Sequence, residues 1–231
     1  MNRIFFSALI VISLFFVTFN DNNAFASDWT VLDEKIENIE EEQLSEETKQ
    51  ELESKINSGE PLDAEIPSMQ EYGETEQYDP YTNVTTYPDG SIAIDAVDYS
   101  EAIVTETGEQ PSGIVTYGFT GGTWTSGSGF RSVRGLKVSK TVIGAFSVKY
   151  KVDLQTIQGG YDKLTRVYEV SPSAYWWKIE TQGIFRGTET SEYSAYGGVR
   201  FQYRSSENSK LKVGRVYTRV GNDKYWLDVT Y

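Results

Sequence analysis

The chain has 231 residues and a formal net charge of −13, and it contains neither cysteine nor histidine. These two absences exclude disulfides, thiol nucleophiles, histidine general bases, Ser-His-Asp catalysis and histidine-ligated zinc. We therefore expect core packing to hold the fold, and any catalysis would have to use carboxylate, tyrosine, lysine or serine side chains.

The first 26 residues have the pattern of a secretory signal peptide. A short cationic start that includes Arg3 precedes an apolar run over 4–19, and Ala24-Phe25-Ala26 matches an A-x-A cleavage site. The run is shorter than the roughly 20 residues that span a bilayer. We expect cleavage after residue 26 and a secreted protein, extracellular or associated with the cell wall. Secretion without cysteine favours a Gram-positive bacterium.

The remaining sequence divides into halves of opposite charge. Residues 28–110 contain 24 acidic side chains and three lysines, whereas residues 111–231 contain 17 basic and nine acidic side chains. The net charges are therefore −21 and +8. Such asymmetry is typical of an acidic tail or of a domain with an anionic partner.

The acidic half predicts a helical region over 27–60 and an acidic linker over 61–83. Four apolar residues at spacings of three and four share one helical face, namely Trp29, Leu32, Ile36 and Ile39. A second helix is expected over Glu46–Asn57, with Ser45 as its N-cap. Residues 61–79 are rich in acids and turn formers, which predicts an extended or disordered segment.

Residues 84–231 predict an antiparallel β-sandwich or barrel-like domain, with its core over 113–231. Pro88-Asp89-Gly90 is a turn signal between two β-prone runs and indicates a hairpin. Apolar and polar residues then alternate, as half-buried strands require, over 141–154, 164–170, 175–181, 199–203, 211–220 and 225–229. Short strands joined by glycine-containing turns favour a mainly β fold.

The stretch Ile157–Val170 concentrates two glycines, a tyrosine, an aspartate and an arginine. Gly159 and Gly160 separate two alternating runs, so their first role is to let the chain reverse. Asp162 can accept hydrogen bonds from nearby backbone amides. We interpret the stretch as a structural corner rather than a reaction centre.

A family resemblance attaches to three segments: SGSGFRSVRGLKV (126–138), GAFSVKYKVDLQTIQGGYDKLTRVYEVS (144–171) and VGNDKYWL (220–227). Over residues 118–231 the chain resembles a family of uncharacterised proteins secreted by Gram-positive bacteria. The resemblance implies a signal peptide, a variable acidic N-terminal region and a C-terminal β domain. It brings no established activity and no catalytic residues.

Two sets of side chains are candidates for ligand binding. Arg200 and Arg204 share one strand face, and Arg215 and Arg219 share another, so neighbouring strands would give a cationic patch. Trp176 is adjacent to Trp177, so the two face opposite sides of a strand and one can be exposed. An exposed tryptophan beside Tyr175 or Trp226 is typical of carbohydrate-binding surfaces. The alternatives are an ordinary solvated sheet face for the arginines and a core role for the tryptophans.

These observations predict a secreted, non-enzymatic protein whose basic domain binds an anionic cell-envelope polymer or membrane surface. The acidic N-terminal region would serve as a spacer or mask. A glycan- or protein-binding module using exposed aromatics is the alternative, and a carboxylate-dependent hydrolase is a third hypothesis. We assign no catalytic residue, cofactor or metal ligand. No nucleic-acid partner is expected, because no recognition motif accompanies the basic residues.

Overall fold

Alternating apolar residues build two antiparallel sheets in the computed structural model, which describes residues 29–107 and 129–230. The large sheet has the strand order β1-β2-β3-β5-β6-β7, and β4 also pairs with β5, so that β3 and β4 lie end to end along β5. Its strands are β1 Glu74–Asp79, β2 Thr82–Thr86, β3 Ile92–Asp98, β4 Ile103–Thr107, β5 Phe130–Val142, β6 Phe146–Ile157 and β7 Lys163–Ala174. The predicted signal peptide lies outside the described residues.

The small sheet has the order β11-β10-β9-β8. Its strands are β8 Trp176–Arg186, β9 Ala195–Arg204, β10 Lys212–Gly221 and β11 Lys224–Thr230. The chain enters it directly from β7, since only Tyr175 separates β7 from β8. The prediction of a mainly β, antiparallel fold is therefore confirmed, and the arrangement is a sandwich.

The core lies between the inner faces of the two sheets. Tyr150 and Phe201, from opposite sheets, have no exposed surface, and the Tyr150 hydroxyl lies 3.0 Å from the Thr218 hydroxyl across the core. The ring of Phe146 packs on the rings of Phe201 and Tyr203, with centroids 5.4 and 4.8 Å apart. Close ring packing of this kind stabilises the contact between the sheets.

Helix α1 (Thr30–Gln43) covers the outer face of the large sheet. Lys35 donates to the Thr82 hydroxyl of β2, and Asp33 pairs with Lys149 of β6. Thr82 and Lys149 belong to one cross-strand row, on the face opposite to the core. Leu32 and Ile39 of α1 have no exposed surface. The large sheet is therefore covered on both sides.

Helix α2 (Glu46–Ser58) attaches the N-terminal region to the loop between β9 and β10. The Ser45 hydroxyl accepts the Thr48 N–H, and Gly59 adopts φ +86° beyond the last turn. Ser206 in the loop donates its hydroxyl to the Ile56 carbonyl at 2.6 Å. Among the described residues, neither helix is both long enough and apolar enough to cross a membrane.

Residues 61–79 are only partly the extended or disordered segment that the sequence predicts, since 74–79 alone form an extended strand. They form two short 3-10 helices, Asp63–Glu65 and Pro67–Tyr72, followed by β1. Two of their acids form ion pairs with other segments: Asp63 pairs with Lys55 at 3.3 Å, and the buried Glu65 pairs with Lys212 at 2.7 Å. Since Lys212 is distant from Glu65 in sequence, composition alone did not reveal that pair.

Of two strand predictions, the hairpin is confirmed and the single long strand is wrong. The hairpin around Pro88-Asp89-Gly90 is present as β2 and β3, with Gly90 at φ +81°. The single strand expected over 141–154 is wrong, because a turn over 143–145 separates β5 from β6, with Gly144 at φ +78°. Val142 and Phe146 pair across this turn, so both keep the same face and the alternation hides the reversal.

Residue 113, where the predicted core begins, lies outside the described residues. Strand β3 lies between β2 and β5, and apolar residues of both helices belong to the same buried cluster as the strands. A chain beginning at residue 113 would leave one edge and the outer face of β5 uncovered. The division into 27–60, 61–83 and 84–231 stays a prediction about folding units.

Replacing Leu32 by Ala tests whether α1 is part of the core. The side chain is fully buried, so we expect the free energy of unfolding to fall by about 2–5 kcal/mol. The control is Val31→Ala, at a position that is 46% exposed, which should change it by less than about 0.5 kcal/mol. Urea unfolding measures both. Equal small effects would show that α1 does not pack on the sheet in solution.

Candidate functional site

All four predicted arginines lie on the outer face of the small sheet. Val199, Phe201 and Tyr203 of β9 are fully buried in the core, so the alternate residues of that strand face outward. These include Arg200 and Arg204, and the register of β10 places Arg215 and Arg219 on the same side. We call the surface formed by these four residues the arginine face.

The centre of the arginine face is a pair of like charges. Arg200 and Arg215 are direct cross-strand partners of β9 and β10. Like charges directly opposite each other destabilise a sheet. The Glu180 carboxylate of β8 partly compensates, since it lies 2.5 Å from Arg200 Nε. Arg215 is exposed and forms no ion pair with any residue in 29–107 or 129–230.

The two outer arginines differ in their surroundings. Arg219 forms an ion pair with Asp228 of β11 and stacks over Tyr196, with 5.0 Å from its guanidinium carbon to the ring centroid. Arg204 is exposed at the end of β9, and no acidic group in the described part of the chain forms an ion pair with it. Among the described residues, two arginines of the arginine face therefore have an acidic partner and two have none.

An aromatic cluster that the sequence analysis missed adjoins Arg219. Phe185, Tyr196 and Tyr217 meet with ring centroids 5.3–5.7 Å apart. Tyr217 packs beside Gly198, where an added Cβ would lie 3.1 Å from the tyrosine ring and 2.2 Å from a backbone oxygen. Glycine at this position lets the ring lie close to the sheet. The outward alternation of Tyr196, Gly198 and Arg200 was the signal available in the sequence.

The hydroxyl of Tyr217 stays protonated beside these cations. Burial raises the pKa of Tyr217, and Asp228 adds to the rise, although Arg215 and Arg200 act to lower it. A neutral phenol can donate a hydrogen bond to an anionic ligand. Tyr217 therefore extends the set of donors that the arginine face presents.

The two candidate tryptophans lie at opposite corners of the small sheet. Trp176 of β8 pairs with Arg204, whereas Trp226 of β11 pairs with Arg219. Their rows are about 26 Å apart along the strands, and β8 and β11 are about 14 Å apart across the sheet. The expectation that Trp226 could adjoin Trp176 is therefore wrong, because these strands form opposite edges.

Trp176 instead lines a groove with its sequence neighbour Tyr175. The groove has a volume of about 340 Å³, and its walls are Tyr175, Trp176, Arg204, Glu207 and Leu211. Trp176 is 42% exposed and Tyr175 is 63% exposed. Arg204 belongs both to this groove and to the arginine face, so the two surfaces are continuous.

The corner at residues 157–162 joins three loops through Asp162. Its carboxylate accepts the Ile157 N–H at 2.7 Å and the Asp223 N–H at 2.8 Å. Its backbone exchanges hydrogen bonds with Glu189, which also accepts the Asn222 N–H. Asp162 has no exposed surface and Gly159 adopts φ +66°, so this geometry supports the structural interpretation of the stretch.

Among the described residues, the acidic N-terminal region does not lie over the arginine face. Its acids pair elsewhere: Asp33 with Lys149, and Glu65 with Lys212. Among the described residues, the acids paired with the four arginines are Glu180 and Asp228, both in the small sheet. The described part of the acidic N-terminal region packs on the large sheet and against the loop between β9 and β10, which does not support a role as a mask.

Acidic side chains of the large sheet are held by structural contacts. Within residues 29–107 and 129–230, no group of three or more potential ligands is placed to hold a metal ion. Asp153 accepts hydrogen bonds from the Gly135 N–H and the Tyr168 hydroxyl, and Glu169 pairs with Lys151. These acids have structural partners in the folded chain.

Comparison with known proteins gives no assignment: no family model, no curated protein and no solved structure matches this chain. The fold and site define an antiparallel β-sandwich protein with an arginine-bearing outer sheet face. The resemblance of residues 118–231 to secreted Gram-positive proteins stays a prediction.

The Asp162 corner predicts a pH dependence of stability. Burial raises the pKa of Asp162 from 3.8 to about 6, with a further contribution from Glu189, although two backbone N–H donors act to lower it. Burial likewise raises the pKa of Asp223. Because a raised pKa means that the folded state holds its proton more tightly, this contribution to stability is complete below 3.8 and is lost as the pH rises through about 6.

We therefore expect Asp162 to make the wild-type protein more resistant to urea at about pH 5 than at about pH 7.5. Asp162→Asn, which cannot ionise, should reduce this difference, whereas Glu192→Gln, at an exposed position in a neighbouring loop, should keep it. Urea midpoints at the two pH values provide the test. An unchanged pH difference in Asp162→Asn would contradict the assignment.

Proposed function

We propose that this chain is a secreted binding protein whose arginine face holds an anionic polymer of the cell envelope. The observation that carries the proposal is the cross-strand pair of Arg200 and Arg215 on an exposed sheet face. A sheet with no ligand gains nothing from two facing cations. An external anion between them would remove the repulsion and accept hydrogen bonds from both guanidinium groups.

Arginine suits this role because its guanidinium group is planar and always charged. It forms bidentate hydrogen bonds to phosphate or carboxylate, and it loses less hydration than lysine on binding. Arg215 and Arg204, which have no acidic partner in the described structure, would bind first. Arg200 and Arg219 would either release their carboxylate partners to bind the ligand or bind the carboxylate and the ligand together.

The dimensions of the face favour an extended ligand. From Tyr196 to Arg204, β9 spans about 26 Å, and Arg200 lies midway. Cations recur along this line at intervals of about 13 Å. A flexible chain with repeated anionic groups can contact several of them at once, so its contacts add through a high effective concentration. A single small anion would contact only one of these cations.

The signal-peptide pattern in residues 1–26 supports a cell-envelope polymer as the ligand. A secreted basic face encounters wall polymers with phosphate or carboxylate groups. The proposal assigns binding and no catalysis to this surface.

Arg215→Gln tests the proposal with inorganic polyphosphate as the probe. Removal of one charge-assisted contact, worth roughly 1.5–3 kcal/mol, should weaken binding about tenfold or more at low salt. Stability should not fall, since a like-charge contact with Arg200 is removed and no carboxylate is left unpaired. Raising the salt concentration should weaken binding of the wild-type protein.

The control is Arg134→Gln, which removes an exposed arginine from β5 in the large sheet. It changes net charge by the same amount, so it should affect polyphosphate binding only slightly. Titration calorimetry measures all three proteins. Equal losses in the two variants would show that total charge, and not the arginine face, governs binding.

A further inference from the structure

The groove beside Trp176 exposes an unusual concentration of apolar side chains. Tyr175, Trp176 and Leu211 are 63%, 42% and 48% exposed, and all three line the same space of about 340 Å³. Clustered exposed apolar residues mark binding surfaces more often than single ones do. The volume is at the lower end of small-molecule sites, so it suits a unit the size of a sugar ring.

Two opposite charges accompany these apolar walls. Arg204 supplies a cation that has no ion-pair partner within the described ranges, and Glu207 supplies a carboxylate. An aromatic ring can pack against the apolar C–H face of a sugar. A guanidinium group can bind an anionic substituent in bidentate geometry, and a carboxylate can accept a hydrogen bond from a sugar hydroxyl.

We propose that this groove binds one sugar ring of an anionic polysaccharide, at the end of the arginine face. This inference rests on the proposed function and narrows its ligand from any polyanion to one that contains sugar rings. Arg204 joins the two parts, because it lines the groove and lies on the same face of β9 as Arg200. A polymer held along β9 would then place a ring against Trp176.

The test compares two probes at equal concentrations of anionic groups. Polygalacturonate carries a carboxylate on each sugar ring, whereas inorganic polyphosphate has charges and no rings. The wild-type protein should bind both probes at low salt. Trp176→Ala should weaken polygalacturonate binding about tenfold, the scale of stacking on an aromatic side chain, and leave polyphosphate binding within about twofold.

Two further variants separate stacking from damage to the fold. Trp176→Phe keeps an aromatic ring and should retain most of the affinity for polygalacturonate. Tyr72→Ala removes a comparably exposed aromatic side chain outside the groove and should change neither affinity. Thermal unfolding followed by circular dichroism verifies that each variant is folded.

The outcomes distinguish this inference from the function on which it rests. If Trp176→Ala changes binding of both probes equally, or of neither, the sugar site is overturned and polyanion binding by the arginine face stands. If the wild-type protein binds neither probe at low salt, the proposed function is overturned, and the sugar site with it.

Discussion

Strand β3, in the interior of the large sheet, is buried on both faces, and this constraint organises the rest of the molecule. In β3, Ala93 and Val97 face the small sheet, whereas Ile94 and Ala96 face the helical region, and none of the four is more than 1% exposed. A sheet buried on both sides needs two covers. The small sheet supplies one, and α1 with its neighbouring segments supplies the other. The acidic N-terminal half is therefore committed to packing on the large sheet.

This arrangement explains how a chain of net charge −13 presents a cationic surface. Basic residues of the large sheet meet acids where they are buried or half-buried: Lys149 pairs with Asp33, and Lys137 with Asp98 and Glu101. The small sheet uses its inner face for the core and leaves its outer face open. Its arginines are therefore compensated only by Glu180 and Asp228 among the described acids, and a surplus of positive charge remains. That surplus is the basis of the proposed polymer binding.

The sequence predicted features that depend on neighbouring residues and missed those that depend on distant ones. The hairpin at Pro88-Asp89-Gly90 and the outward alternation of Arg200 and Arg204 follow from local chemistry. Strand order does not follow from local chemistry. Only the structure therefore shows that Arg200 faces Arg215 and that Trp176 is far from Trp226. Order in 61–79 was missed for the same reason, since Glu65 finds Lys212 far along the chain.

The most direct test of the account is the reactivity of individual arginines toward a dicarbonyl reagent, read by mass spectrometry with and without polyphosphate. Arg134 and Arg166, exposed on the large sheet, serve as internal references. Arg204 and Arg215 should react as readily as these references in the free protein and should be protected by polyphosphate, while the references should not be protected. Slow reaction of Arg204 and Arg215 in the free protein, or equal protection of all four, would contradict an open, ligand-binding arginine face.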